Sequence, residues 1–492
     1  MLVMRKNVFK KAMALVLVLV LSMGWVTPVL ADNTPFRGYT YNHWGVIVPT
    51  PAAYVPMRSF MAADICESWE AFVEPTDLHV SPCGYLFVVD SGNDRIAVFT
   101  ESLEPIRMIY GFNYYGAWET FNRPNGVFVT WDREIYIADT FNDRIVVLDW
   151  YGEHIINMYG PTQEDLMDEF LFRPLSILVD RGGRVYVIVQ HVFEGIMNFN
   201  AEGDFLGYFG TIEVWLSPLQ IFWRFFMTDA QLQRQNRIIP TVFQAMALDE
   251  YNFVFTTNIE AWGSDQVMRL NPRGEDVLLN MNDNVSINGD QRFATIGALA
   301  GPSQFIDIIA RPHGKFSALD STRGRVYTYD NEGNLLYVFG GMGSMEGMMR
   351  RPVALEVLDE YIFILDAHLG RIVQFVPTEY GSLINHAIAM RYVGNDEEAI
   401  TAWRSLVAID EHFQLAWAGI GRGMLAEGNN VAAMYYLRRG MDMMHYSIAF
   451  RRHRLDVMQN ILPMAFTVGT VLAGLFIAYK LIKVVRKRVA EA

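Results

Sequence analysis

Five histidines stand in the part of the chain that reads as strands: His79, His154, His191, His313 and His368. Several imidazoles gathered on one face of a closed ring could hold a metal ion and activate a water molecule. His79, His191 and His368 are the three that could in principle converge on a common axis. They occupy different positions within their segments, however: one in a first strand, one after a second strand, one in a turn. Metal–nitrogen bonds of about 2 Å leave no slack for three different depths, so no metal site and no cofactor is expected. The sequence has no Gly-x-Ser-x-Gly, no His-Glu-x-x-His and no phosphate-binding glycine loop. Residues 280–290, NMNDNVSINGD, alternate Asn and Asp as a calcium loop does. No Glu stands at the distance an EF-hand requires, and the stretch reads as a solvated turn.

A second constellation recurs. Asp stands five residues before Arg at Asp90 and Arg95, Asp139 and Arg144, Asp320 and Arg325, and Asp366 and Arg371. A guanidinium fork that meets a carboxylate across a turn fixes the turn's geometry. A reaction needs such a pair once, so four copies argue for a structural repeat. No catalytic residue is assigned.

The elements that carry these pairs are legible. In Pro124 to Leu148, PNGVFVTWDREIYIADTFNDRIVVL, three short β-rich segments are split by polar turns. Related units open at Pro75, Pro302 and Pro352, with weaker ones at Pro174 and Pro240. The six prolines are 49, 50, 66, 62 and 50 residues apart, the spacing of four-stranded blades in a β-propeller. The last unit is short of a strand before Pro377. The segment from Phe36 to Val48 is therefore expected to supply that strand and close a six-bladed ring, removing its open edges. The core Asp-x-x-Asn-x-Arg-Ile, complete at Asp90 to Ile96 and Asp139 to Ile145, resembles the NHL-repeat propellers. That resemblance implies a fold rather than an activity, since such rings include binding platforms, RNA binders, lyases and relatives of lactonases.

Blade three departs from the pattern, with Gln190 and Gly195 where Asp and Arg stand elsewhere. An insertion follows at 211–239. It is rich in aromatic residues, and Leu219, Phe222, Trp223 and Phe226 fall at helical spacing. Packing on the propeller is one reading of it; a binding surface through Trp215, Phe222 and Trp223 is the other.

Beyond the ring, residues 381–442 change to a helical period. Ala387 matches Gly421, Gly394 matches Gly428, Ala399 matches Ala433 and Trp403 matches Leu437, all at an interval of 34. This resembles two tetratricopeptide (TPR) repeats, which implies peptide binding or packing on a neighbour. Residues 443–460 read as a capping helix carrying Arg451, Arg452, His453 and Arg454. Residues 461–482 read as a membrane span, with no charge from Ile461 to Tyr479. Residues 483–492 form a basic tail, expected on the cytoplasmic side. At the other end, residues 1–31 have the charged, apolar and small-residue sections of a signal peptide cleaved after Ala31.

Both ends are basic, +4 in 1–31 and +4 in 480–492, so the net −14 of the 492 residues leaves −22 between them. That balance argues against nucleic acid. Cys66 and Cys83 are the only cysteines; one disulfide closing the first blade and two buried thiols both fit. The whole reads as mainly β: a propeller over 32–380, a TPR-like helical segment and a single transmembrane helix. The expected function is that of a membrane-anchored extracytoplasmic binding or scaffold protein without catalysis, recognising a glycan, a peptide or a neighbouring membrane protein. The alternative is a lactonase- or lyase-like enzyme at the cell envelope. Carboxylates, Asn and His converging on the axial mouth would favour the enzyme; an axis lined by apolar or solitary polar residues would favour binding.

Overall fold

The computed structural model describes residues 34–65, 69–161, 171–210, 242–259, 266–280, 287–291 and 301–490. The strands form six blades around an axis. Blade one runs through Asp77–Val80, Leu86–Asp90, Arg95–Phe99 and Pro105–Ile109, and blades two and three repeat that antiparallel meander. Blade four shows three strands, Phe243–Leu248, Val254–Asn258 and Val267–Leu270. Blade five starts at Phe305–Ala310 and blade six at Pro352–Leu358. The second and third strands of blades one and two are buried along their whole length. This is what continuous apolar runs such as Arg144–Leu148 dictate when a sheet is packed on both faces.

The ring is closed by the N-terminal segment, as expected in kind, but not by the residues expected. Tyr54–Met61 pairs antiparallel with Arg371–Pro377 as the outer strand of blade six. Gly38–Tyr41, inside the segment assigned to closure, adds instead to the outside of blade five, where Tyr39 stands opposite Val338. Both segments are strand-like. The register of the whole ring, and not local propensity, selects the one that fits the open edge.

The repeated Asp has one constant role. Asp90 accepts the backbone N–H of Val73, Asp139 that of Asn122, Asp320 that of Gln304 and Asp366 that of Arg350. Each carboxylate thus pins the incoming connection to the turn between second and third strands. The Arg partner varies. Arg95 and Arg144 donate to their Asp at 2.7 and 2.9 Å. Arg325 turns away from Asp320 to Asp290 at 2.7 Å, and Arg371 donates to the Met348 carbonyl. Four Asp anchors are therefore accompanied by only two Asp–Arg ion pairs of the expected kind. Blades three and four hold ion pairs of their own, Asp180–Arg184 and Asp249–Arg269.

Residues 281–286 lie outside the described ones. For its described end, residues 287–290, the reading of 280–290 as a solvated turn is corrected by Asp290. Its carboxylate is buried and accepts the hydroxyls of Tyr39 and Tyr41 beside Arg325. It is a tie between blade five and the N-terminal strand.

Helices α1 (Glu379–Tyr392), α2 (Asp396–Ile409), α3 (Gln414–Ala426) and α4 (Asn430–Arg439) form two hairpins. Thr378, Asn395 and Asn429 accept helix N-terminal N–H groups as caps of α1, α2 and α4. Gly394 and Gly428 sit at φ +80 just past α1 and α3, the left-handed exit that glycine takes without strain. The hairpins share one apolar core with blades five and six, from Tyr54 and Phe339 to Trp403 and Leu437. Glu332, in a blade-five turn, bonds Arg391 of α1 and Arg422 of α3. Arg422 continues to Asp442.

Helix α5 then runs unbroken from Met443 to Ala490, about 70 Å at 1.5 Å per residue. It includes a stretch long and apolar enough to cross a membrane.

Candidate functional site

The innermost strands surround an axial cavity of about 320 Å³. Two rings of positions face it. One contains Asp77, Ser176 and Asp307; two residues further along each strand the other contains His79, Phe128, Leu178, Ile309 and Glu356. Strand alternation puts residues at this interval on one face. The polar groups are not spread evenly. Asp307 comes from blade five, Glu356 from blade six, and Asp77 and His79 from blade one, which are consecutive around the ring. Blades two, three and four oppose them with Val127, Phe128, Leu178 and Met246. Ser176, Arg181, Asp249 and Glu250 also line the cavity from blades three and four, so that side is mixed, while the wall from blades five, six and one is acidic.

Each carboxylate is tied to backbone. Asp77 accepts Leu78 N–H and, across the blade boundary, Val127 N–H. Asp307 accepts Ile308 N–H and Leu355 N–H in the same way. These bonds stitch neighbouring inner strands together, but desolvation outweighs them. Burial pushes Asp77 up to about 6. Burial, with Asp77 adding repulsion, pushes Asp307 up to about 8. Burial and the charge of Asp307 hold Glu356 well above the usual carboxylate range. Burial lowers His79 to about 4. Its Nδ1 stands 3.7 Å from Glu356, beyond hydrogen-bond range. Near neutral pH the wall therefore presents a neutral imidazole and Asp307 mostly protonated, with Asp77 largely ionised.

These raised values set a pH dependence. A folded-state carboxyl pKa above its unfolded value stabilises the fold at low pH, and that contribution is lost as pH rises through the folded pKa. Asp77 and Asp307 thus predict a thermal midpoint that falls between about pH 4 and 8. Asp307→Asn removes the charge that must be buried, so the variant should gain stability on the parent as pH rises from about 4 to about 8 and show no such gain near pH 4. A midpoint difference that ignores pH would exclude this account.

The sequence reading missed Asp77, Asp307 and Glu356. The available signal was a charge inside an apolar strand, as in Ile306-Asp307-Ile308 and Leu355-Glu356-Val357. Of the three histidines considered together, only His79 lines the cavity; His191 and His368 are exposed in turns. Among the described residues no group of three or more His, Cys, Asp or Glu could hold a metal ion. Cys83 is exposed with a free thiol, so it is not the buried thiol considered above. Cys66, Trp215, Phe222 and Trp223 lie outside the described residues, as does the signal-like segment 1–31.

No protein-family model matches the chain, and no curated relative does. Among solved structures, virginiamycin B lyase from Staphylococcus aureus is 10% identical, covering 65% of this chain and 99% of that one, with a TM-score of 0.40. A luciferin-regenerating enzyme is 9% identical, covering 65% and 96%, with a TM-score of 0.38. Neither likeness carries an argument about activity.

Proposed function

We propose that this protein is a membrane-anchored extracytoplasmic binding protein, a propeller held by TPR-like helix pairs at a fixed attitude to the bilayer. One observation carries the reading: the ring and the helix pairs form one packed body, and the base of α5 is docked on it. Propeller and hairpins share a core, and α5 stays docked as far as Asp456, whose carboxylate accepts the Asn430 amide at 2.8 Å. The uncharged run begins only five residues later, at Ile461, roughly 8 Å along a helix. A flexible tether would suit a diffusing enzyme domain; a docked helix presents a surface in one orientation.

The axial cavity favours a second reading. Two carboxyl groups with separated protonation, Asp77 near 6 and Asp307 near 8, are the arrangement from which general acid–base catalysis is built. In a lactonase- or lyase-like reaction Asp77 would act as the base and Asp307 as the acid.

Detergent-solubilised full-length protein applied to oligosaccharide and peptide arrays distinguishes the two. Binding predicts retention of one compound class without turnover, unchanged by Asp77→Asn. Turnover of a bound compound, abolished by Asp77→Asn, would replace binding with catalysis. The orientation is tested on intact cells: protease should remove the ring and spare a tag after Ala492.

A further inference from the structure

Between blades one and two the chain makes a hairpin that belongs to no blade. Gly111–Tyr114 pairs with Ala117–Thr120, with Asn113 opposite Trp118 and Tyr114 opposite Ala117. Its base is fixed. Phe112 is fully buried and lies 5.1 Å from His154, nearly parallel to it. Arg144 lies over the Phe112 ring and pairs with Glu119.

The tip departs from what such a hairpin needs. A two-residue turn of this twist requires positive φ at both central positions, which favours Asn or Gly. Here they are Tyr115 at φ +48 and Gly116 at φ +88. A bulky side chain in the left-handed region is an outlier. Tyr115 is also 95% exposed, so burial does not account for its ring. Eleven other non-glycine residues among the described ones also have positive φ, so it is the exposure of the ring that sets Tyr115 apart.

The tip is surrounded by further rings. Tyr115 stands edge-on to Tyr114 at 4.6 Å, and Tyr114 edge-on to His154 at 4.9 Å. Trp118 is 65% exposed, and Tyr159 of blade two is half exposed beside Tyr114. All of these rings carry a polar atom, and Asn113 and Asn157 supply amides among them. Glu119 is the only charged residue from 111 to 120, and Arg144, which also holds Asp139, pairs with it. Between the basic ends, where the chain carries a net −22, this patch holds a single carboxylate, and that one is paired.

We infer that the Tyr115–Trp118 hairpin is a binding site for a neutral glycan. A pyranose has apolar C–H faces that lie on aromatic rings and hydroxyls that pair with tyrosine hydroxyls and amides. It brings no charge, and the one carboxylate of the patch is already paired. This rests on the binding reading and names its ligand class.

The test is electrophoresis of the detergent-solubilised full chain through gels containing hydroxyethylcellulose, glucomannan or dextran, with alginate as the anionic comparison. Retardation by at least one neutral polysaccharide is expected, weakened about tenfold or more by Tyr115→Gly and by Trp118→Ala. Glycine suits the left-handed turn, so Tyr115→Gly should leave the thermal midpoint equal or higher, separating lost binding from lost folding. No retardation by any neutral polysaccharide, stronger retardation by alginate, or retardation that survives both variants would overturn the site. Array retention of a peptide that Tyr115→Gly does not change would sink the glycan site and leave the binding reading standing.

Discussion

Tyr54→Ala should lower the unfolding free energy by about 3–5 kcal/mol, the range for emptying a large buried aromatic site. Tyr54 lies on the closing strand with no exposed surface, stacked on Phe339 at 4.9 Å between ring centroids. Its hydroxyl accepts Arg311 at 2.7 Å and the Asn385 amide at 3.2 Å. One side chain thus ties blade six, blade five and α1. Tyr54→Phe keeps the ring and leaves buried donors of Arg311 and Asn385 without that acceptor, an expected cost of about 1–3 kcal/mol. Urea unfolding followed by tryptophan fluorescence gives both values. Equal midpoints for Tyr54→Ala and the parent would mean that the closing strand contributes little.

Arg144→Met should cost about 3–5 kcal/mol, because it leaves the buried Asp139 carboxylate without its ion partner. Arg371→Met should stay within about 1 kcal/mol, because Arg371 donates to a carbonyl and neutralises no buried charge. The two arginines occupy the same repeat position, so the comparison isolates the ion pair from the turn. Burial raises the Asp139 pKa against its hydrogen bonds and Arg144. The Arg144→Met deficit should therefore shrink as pH falls and Asp139 takes up a proton. Equal losses at Arg144 and Arg371 would show that packing of the aliphatic stem dominates.

The comparison of these arginines also shows how far the repeat could be read. The recurrence of Asp five residues before Arg located the blades, because the turn it marks is local: Asp90 and Arg95 are directly paired across adjacent strands. The same spacing does not decide where the guanidinium points. Arg325 faces Asp290, which lies 35 residues upstream, and no local pattern announces a partner at that distance. The candidate site was less legible. Asp77, Asp307 and Glu356 are separated by up to 279 residues and meet only because consecutive inner strands converge on the axis. His79, His191 and His368 looked equivalent by type, but strand register places one on the cavity and two in exposed turns.

By itself the sequence determined the alternation that makes strands, the spacing that makes six blades, the change to a helical period after the ring and the uncharged run from Ile461 to Tyr479. Those follow from interactions within a few residues, or from burial of a repeating face, and both are written in residue order. Tertiary structure decided which N-terminal strand closes the ring, which carboxylates share a low-dielectric cavity and how their protons are held. It also decided that the helix pairs pack on blades five and six. Those depend on register summed around a closed circle and on desolvation by neighbours hundreds of residues away, quantities that exist only once the ring has shut.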